Sequence, residues 1–124
     1  PVALAVIARH GRGFIQQRPE EGHLGGLWEF PGGKCRAGER PLEAVVRECR
    51  EELRAEVEAL RELVVVRHAY SHFKVRLHVF ACRPLRGRFR CGRPHAWVRA
   101  EDLGSYPFPA ANHRFLPLVT GLLK

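Results

Sequence analysis

Apolar residues recur with helical spacing downstream of Pro41. Leu42, Val45, Val46, Cys49 and Leu53 fall at i, i+3, i+4, i+7 and i+11, one stripe of an amphipathic helix. Pro41 suits the first turn, where its missing N–H is no loss. Arg40 is a poor N-cap, so Glu43 supplies only one half of a capping box. Before this helix, residues 2–9 are rich in β-branched side chains and predict a buried strand. Residues 10–13 predict a turn, 14–18 a second strand hairpin-paired to the first, and 19–26 a loop. A short strand over 27–30 leads into a Pro31-Gly32-Gly33 turn. After the helix, 60–70 and 75–82 read as apolar strands, 83–94 as a basic connector and 95–99 as a last strand. Residues 101–106 predict a turn or short helix. Residues 112–122 predict a terminal helix with its stripe through Phe115, Leu116, Val119 and Leu122, and Pro117 lies inside it. Strands on both sides of a central helix, with a second helix at the end, predict an α/β sandwich in a single domain spanning 1–124.

The polar side of the central helix carries candidate chemistry. Glu48, Glu51 and Glu52 share one arc, because residues three and four apart stand over one another. Three carboxylates within a turn repel each other, and a hard divalent cation with oxygen ligands would remove that repulsion. The alternative is a solvated face in which Glu43–Arg47 and Arg47–Glu51 are i,i+4 ion pairs.

Composition narrows the class. At 124 residues the chain is long enough for a sizeable core. No apolar run approaches the ~20 residues of a transmembrane helix, so no membrane association is expected. Residues 2–8 are apolar but short, without a basic leader or a small-residue cleavage site, so no signal peptide is expected. Four cysteines without zinc spacing, Cys35, Cys49, Cys82 and Cys91, imply free thiols and a cytoplasmic location. The net charge of +8 favours polyanions without choosing among them. Much of that charge is arginine in the connector: Arg83, Arg86, Arg88, Arg90 and Arg93. In an extended chain Arg86, Arg88 and Arg90 share a side. They suit either an edge hairpin protected against aggregation or, less favoured, contact with a DNA backbone.

Spacing decides between the two readings of the helix. Gly33, five residues, Glu39, seven residues, then Arg47-Glu48-Cys49-Arg50-Glu51-Glu52 resembles the box of the Nudix hydrolase family. Arg54 stands where that family has glycine, and Ala55 where it has a larger apolar residue. Either the helix runs further here, or Arg54 takes a left-handed conformation at a cost of roughly 1–2 kcal/mol. Residues 27–34, LWEFPGGK, and 108–112, FPAAN, resemble the MutT-type subfamily, the 8-oxo-dGTP diphosphatases.

The resemblance implies a mixed curved sheet between helices. It implies a metal-dependent pyrophosphohydrolase acting on an oxidised purine nucleoside triphosphate such as 8-oxo-dGTP, giving the monophosphate and pyrophosphate, or alternatively on another nucleotide, with Mg²⁺ or Mn²⁺ on Glu48, Glu51, Glu52 and the Gly32 carbonyl. Glu48 or Glu51 would be the base, oriented by Arg47, and Glu39 would be a ligand or would stand behind one. Arg18, Glu29, Lys34 and Asn112 would bind the nucleotide. Asn112 would face the purine edge, the alternative being an N-cap of the last helix. Subfamily members often place a further carboxylate in the loop before the last strand, whereas 83–99 contains neither Asp nor Glu. That leaves the metal count open. Residues 18–22 and 70–73 are also similar to the C-terminal domain of MutY-type adenine DNA glycosylases, a Nudix-fold module that has lost the box. That likeness offers the rival expectation of an 8-oxoguanine recognition module.

Overall fold

The computed structural model describes every residue, Pro1–Lys124. Strands β1 (Val2–Arg9) and β2 (Arg12–Gln17) form the first hairpin, followed by β3 (Trp28–Glu29) and β4 (Gly32–Lys34). Helix α1 spans Pro41–Leu53. Strands β5 (Glu56–Ala69) and β6 (Lys74–Arg86) make a long hairpin, and β7 (His95–Arg99) precedes two 3₁₀ turns and helix α2 (Leu116–Leu123). All seven strands join one sheet with a central order β3-β2-β1-β6-β5, β4 pairing with β1 and β7 with β2. Only β1 and β6 are parallel; the other pairs are antiparallel. The sheet is therefore mixed, as expected.

Both faces are covered, and strand alternation sorts the side chains between them. Ala3, Ala5 and Ile7 of β1 pack with Ala44, Val45, Cys49 and Leu53 of α1. Val6, one step out of phase, packs on the opposite face with Phe30, Phe115, Val119 and Leu123. A strand buried on both faces reads as a continuous apolar run, which is why 2–9 was legible.

The boundaries differ where polar residues lie in strands. β5 begins at Glu56 and β6 ends at Arg86, so the hairpin takes in the start of the expected connector. Gly87 then turns the chain at φ 94°, so Arg86 does not share an extended side with Arg88 and Arg90. The expected turn at Gly32-Gly33 is strand β4, bonded to β1. Leu42, assigned to the apolar stripe, is 45% exposed, while Ala44 is buried. Periodicity gives a face, not the length of the surface that receives it. The terminal helix starts at Leu116 with Pro117 in its first turn, and residues 110–114 form a 3₁₀ turn. Asn112 is therefore not its N-cap; Phe115 is. At the other end of α1, the choice left open resolves to strain: Arg54 caps the helix at φ 55°, ψ 33°. The four cysteines are free thiols, and no helix is long and apolar enough to cross a membrane.

Candidate active site

Strand β4 and helix α1 build the site together. A side chain at Gly32 is doubly excluded: its φ is 150°, and a Cβ would stand 2.0 Å from the Ala3 carbonyl oxygen. Gly33 leaves room of another kind, since a Cβ there would lie 2.7 Å from the Glu48 carboxyl carbon. The backbone of β4 thus lies directly against the helix carboxylates.

Arg47 is the hub of the first group. Nε donates to Glu39 Oε2 (2.7 Å) and Nη2 to Glu39 Oε1 (2.9 Å). Nη1 donates to Glu48 Oε1 (2.9 Å) and Glu51 Oε2 (3.1 Å), and Nη2 also reaches the Lys34 carbonyl (3.2 Å). All the guanidinium N–H groups are thereby used. The Arg47 hydrogen bonds, helped by the Arg36 backbone N–H, lower the Glu39 pKa to about 2. Hydrogen bonding to Glu39 likewise raises the pKa of Arg47 above its usual value. Arg36 also donates a guanidinium N–H to Glu51 Oε1 at 2.9 Å.

Glu52 belongs to a second group. Its Oε1 accepts the Gly32 N–H (3.0 Å), and its Oε2 accepts from Gln16 Nε2 (3.0 Å) and Arg93 Nη2 (2.8 Å). Glu29 stands beside it, its Oε2 bonded to the same Gln16 Nε2 (3.1 Å) and facing Arg93 Nη1 at 3.1 Å. Glu29 Oε1 pairs with Arg18 Nη1 at 2.6 Å. Burial raises the Glu52 pKa, partly offset by the Gln16 and Gly32 hydrogen bonds.

The three box carboxylates are thus divided: Glu48 and Glu51 on Arg47, Glu52 with Glu29. No three His, Cys, Asp or Glu side chains are gathered as a ready-made metal cluster. Each carboxylate instead has a guanidinium beside it. Of the expected nucleotide contacts, Arg18 and Glu29 come together, and Lys34 is exposed on β4. Asn112 is 6% exposed, and its Oδ1 is buried without a hydrogen-bond partner.

Sequence reasoning missed several neighbours. Gln16 is fully buried, although the Gln16-Gln17 pair at the end of a strand reads as solvent-facing. The sequence places Arg93 in the basic connector, yet it turns inward onto Glu29 and Glu52. Arg83 pairs with Glu58 at 2.6 Å, so two of the five connector arginines bind the protein's own carboxylates. His23, Tyr70 and Phe73 form an aromatic cluster with centroids 5.0–5.1 Å apart.

Known proteins share this fold. The NUDIX domain model matches residues 2–118. An 8-oxo-dGTP diphosphatase of Proteus vulgaris is 40% identical over 80 residues, covering 64% of this chain and 71% of its own. The CTP pyrophosphohydrolase of Escherichia coli (strain K12) is 31% identical over 124 residues, covering 98% of this chain and 90% of its own. The solution structure of the E. coli ORF135 protein superposes with a TM-score of 0.85 at 30% identity, covering 98% of this chain and 88% of that one. Family match, fold and carboxylate helix agree: the chain belongs to the NUDIX domain family and is a Nudix hydrolase.

Proposed function

We propose that this hydrolase converts an oxidised purine deoxynucleoside triphosphate, 8-oxo-dGTP, with one water to the monophosphate and pyrophosphate. The observation that carries the base assignment is the orphaned Asn112 Oδ1. A buried acceptor left without a donor costs about 1–3 kcal/mol, so a ligand donor is favoured there. Guanine N7 is an acceptor, and oxidation at C8 makes it an N–H donor. If Oδ1 faces N7, this acceptor matches the oxidised base and not the normal one, whose donors lie at N1 and N2 instead. The likeness to the Proteus vulgaris 8-oxo-dGTP diphosphatase supports the same reading. The E. coli CTP pyrophosphohydrolase matches over nearly the whole chain, which makes a pyrimidine triphosphate the second reading.

The donor set suits a hard divalent cation, Mg²⁺ or Mn²⁺. The available oxygens are carboxylates, and Gly33 brings backbone against Glu48 without a side chain between. Glu48, Glu51 and Glu52, with the Gly32 carbonyl, would hold it, and Glu39 would stand behind them through Arg47. When bound, such an ion screens phosphate charge and lowers the pKa of a water. Arg47 fixes Glu48 and Glu51 so that one of them takes the water's proton. Lys34 and Arg18 neutralise phosphate charge, Arg18 from its place on Glu29. Connector contact with DNA is the lesser proposal, since Arg83 and Arg93 are already paired.

Glu52→Gln keeps size and removes charge. It is expected to preserve the fold and lower kcat by about two orders of magnitude or more, the scale of losing one charged group at a reacting centre. Pyrophosphate release by the folded variant at near wild-type rate would remove Glu52 from the site.

A further inference from the structure

Two residues outside the family box hold two carboxylates together. Gln16 Nε2 donates to Oε2 of both Glu29 and Glu52, at 3.1 and 3.0 Å. Arg93 approaches the same two oxygens from the other side, Nη1 at 3.1 Å from Glu29 and Nη2 at 2.8 Å from Glu52. The result is a closed ring, Gln16–Glu29–Arg93–Glu52. The direction of the Gln16 amide is dictated chemically. Ionised carboxylates only accept, so the NH₂ end must face them. The oxygen end then meets the Cys91 thiol, whose Sγ lies 3.3 Å from Oε1. Gln16 is 0% exposed, so no water competes for the amide. Two neighbouring carboxylates in a part-buried place repel, and the ring removes that repulsion while fixing their separation.

We propose that Gln16 and Arg93 are positioning residues that tie the metal side of the site to the nucleotide side. This rests on the reading of Glu52 as metal-holding and Glu29 as nucleotide-holding. Because the two carboxylates share both partners, neither can shift alone. Loss of either partner therefore disturbs metal binding and nucleotide binding together, although Gln16 and Arg93 are assigned contact with neither. Gln16 enters from β2, Glu29 from β3, Glu52 from α1 and Arg93 from the loop before β7. The ring joins four separate pieces of chain at one point.

The test uses Gln16→Met, which keeps length without the amide, together with Arg93→Ala and Arg93→Lys. Arg93 is partly exposed, so its variants remain informative if the buried Gln16→Met fails to fold. Mn²⁺ affinity is measured by electron paramagnetic resonance without nucleotide. KM is measured separately at saturating metal. Gln16→Met and Arg93→Ala are each expected to weaken Mn²⁺ binding and raise KM by about tenfold, the scale of one hydrogen bond to a charged group. Arg93→Lys should recover part of both. If both constants stay within twofold of wild type, or only one of them moves, the proposal is overturned. Failure of the underlying reading looks different: wild type itself would then bind no Mn²⁺ or release no pyrophosphate.

Discussion

At the scale of single residues, the electrostatics make two statements that solution measurements can check. The Glu39 carboxyl is lowered from the ordinary 4.5 to about 2, chiefly by Arg47. A carboxyl whose folded pKa lies below its unfolded one contributes stability that is complete above the unfolded value. That stability is lost as pH falls through the folded value. Wild type should therefore lose melting temperature between pH 4.5 and about 2 more steeply than Glu39→Gln does. Parallel profiles would show that the Arg47–Glu39 pair does not set acid stability. Asn112 makes the second statement. Asn112→Ala should reduce the ratio of kcat/KM for 8-oxo-dGTP over dGTP by about tenfold or more, the scale of one buried hydrogen bond. Its turnover of dGTP should change less. A wild-type preference that survives the substitution would move base recognition to another residue. The sequence displayed Glu39, Arg47 and the helix carboxylates because one helix and a fixed spacing hold them. It did not display Gln16 or Arg93. Their partners lie 36 and 41 positions away at Glu52, and no local periodicity encodes a contact of that range.

At the scale of elements, α1 was legible and its last turn was not. The apolar stripe located the helix, but whether it stopped at Leu53 depended on Arg54 alone. Arg54 adopts φ 55°, ψ 33° and donates its N–H to the Arg50 carbonyl at 3.0 Å. This is the left-handed stop usually made by glycine. Arg54→Gly should therefore raise stability by about 1 kcal/mol, seen as a higher urea midpoint at an unchanged slope. A lower midpoint would mean that the arginine side chain stabilises more than its backbone strains. The β5–β6 hairpin shows the opposite limit. Its pairing shifts register between Glu56/Val57, Ala59/Arg61 and Glu62/Val64. Each bulge interrupts the two-residue alternation from which strands are read, so the first residues of β5, 56–59, do not show in the sequence. The last helix begins at Leu116, later than its apolar stripe predicts, for a related reason. A 3₁₀ turn over 110–114 carries helix-like composition without α-helical geometry.

At the scale of the whole molecule, the fold shows how a chain of net charge +8 keeps the carboxylates of its candidate site paired. Arg18, Arg36, Arg47 and Arg93 each approach a glutamate of the site within 3.1 Å, so much of the apparent basicity is turned inward. Composition alone reads that charge as attraction to polyanions. The structure assigns part of it to holding Glu29, Glu39, Glu48, Glu51 and Glu52 in place between β4 and α1. Arg40, Arg50 and Arg83 pair with Glu43, Glu56 and Glu58 away from the site, while Arg86, Arg88 and Arg90 stay exposed. On the proposed function, this assembly hydrolyses a nucleoside triphosphate between its α- and β-phosphates with a divalent cation and prefers an oxidised purine. The most direct measurement is kcat/KM of the wild-type protein on 8-oxo-dGTP, dGTP and CTP, with Mg²⁺ and with a chelator, scoring pyrophosphate separately from phosphate. Pyrophosphate as the product, loss of turnover in the chelator, and 8-oxo-dGTP as the preferred substrate are expected from this proposal. Phosphate as the product, turnover that persists in the chelator, or equal rates on all three nucleotides would contradict it.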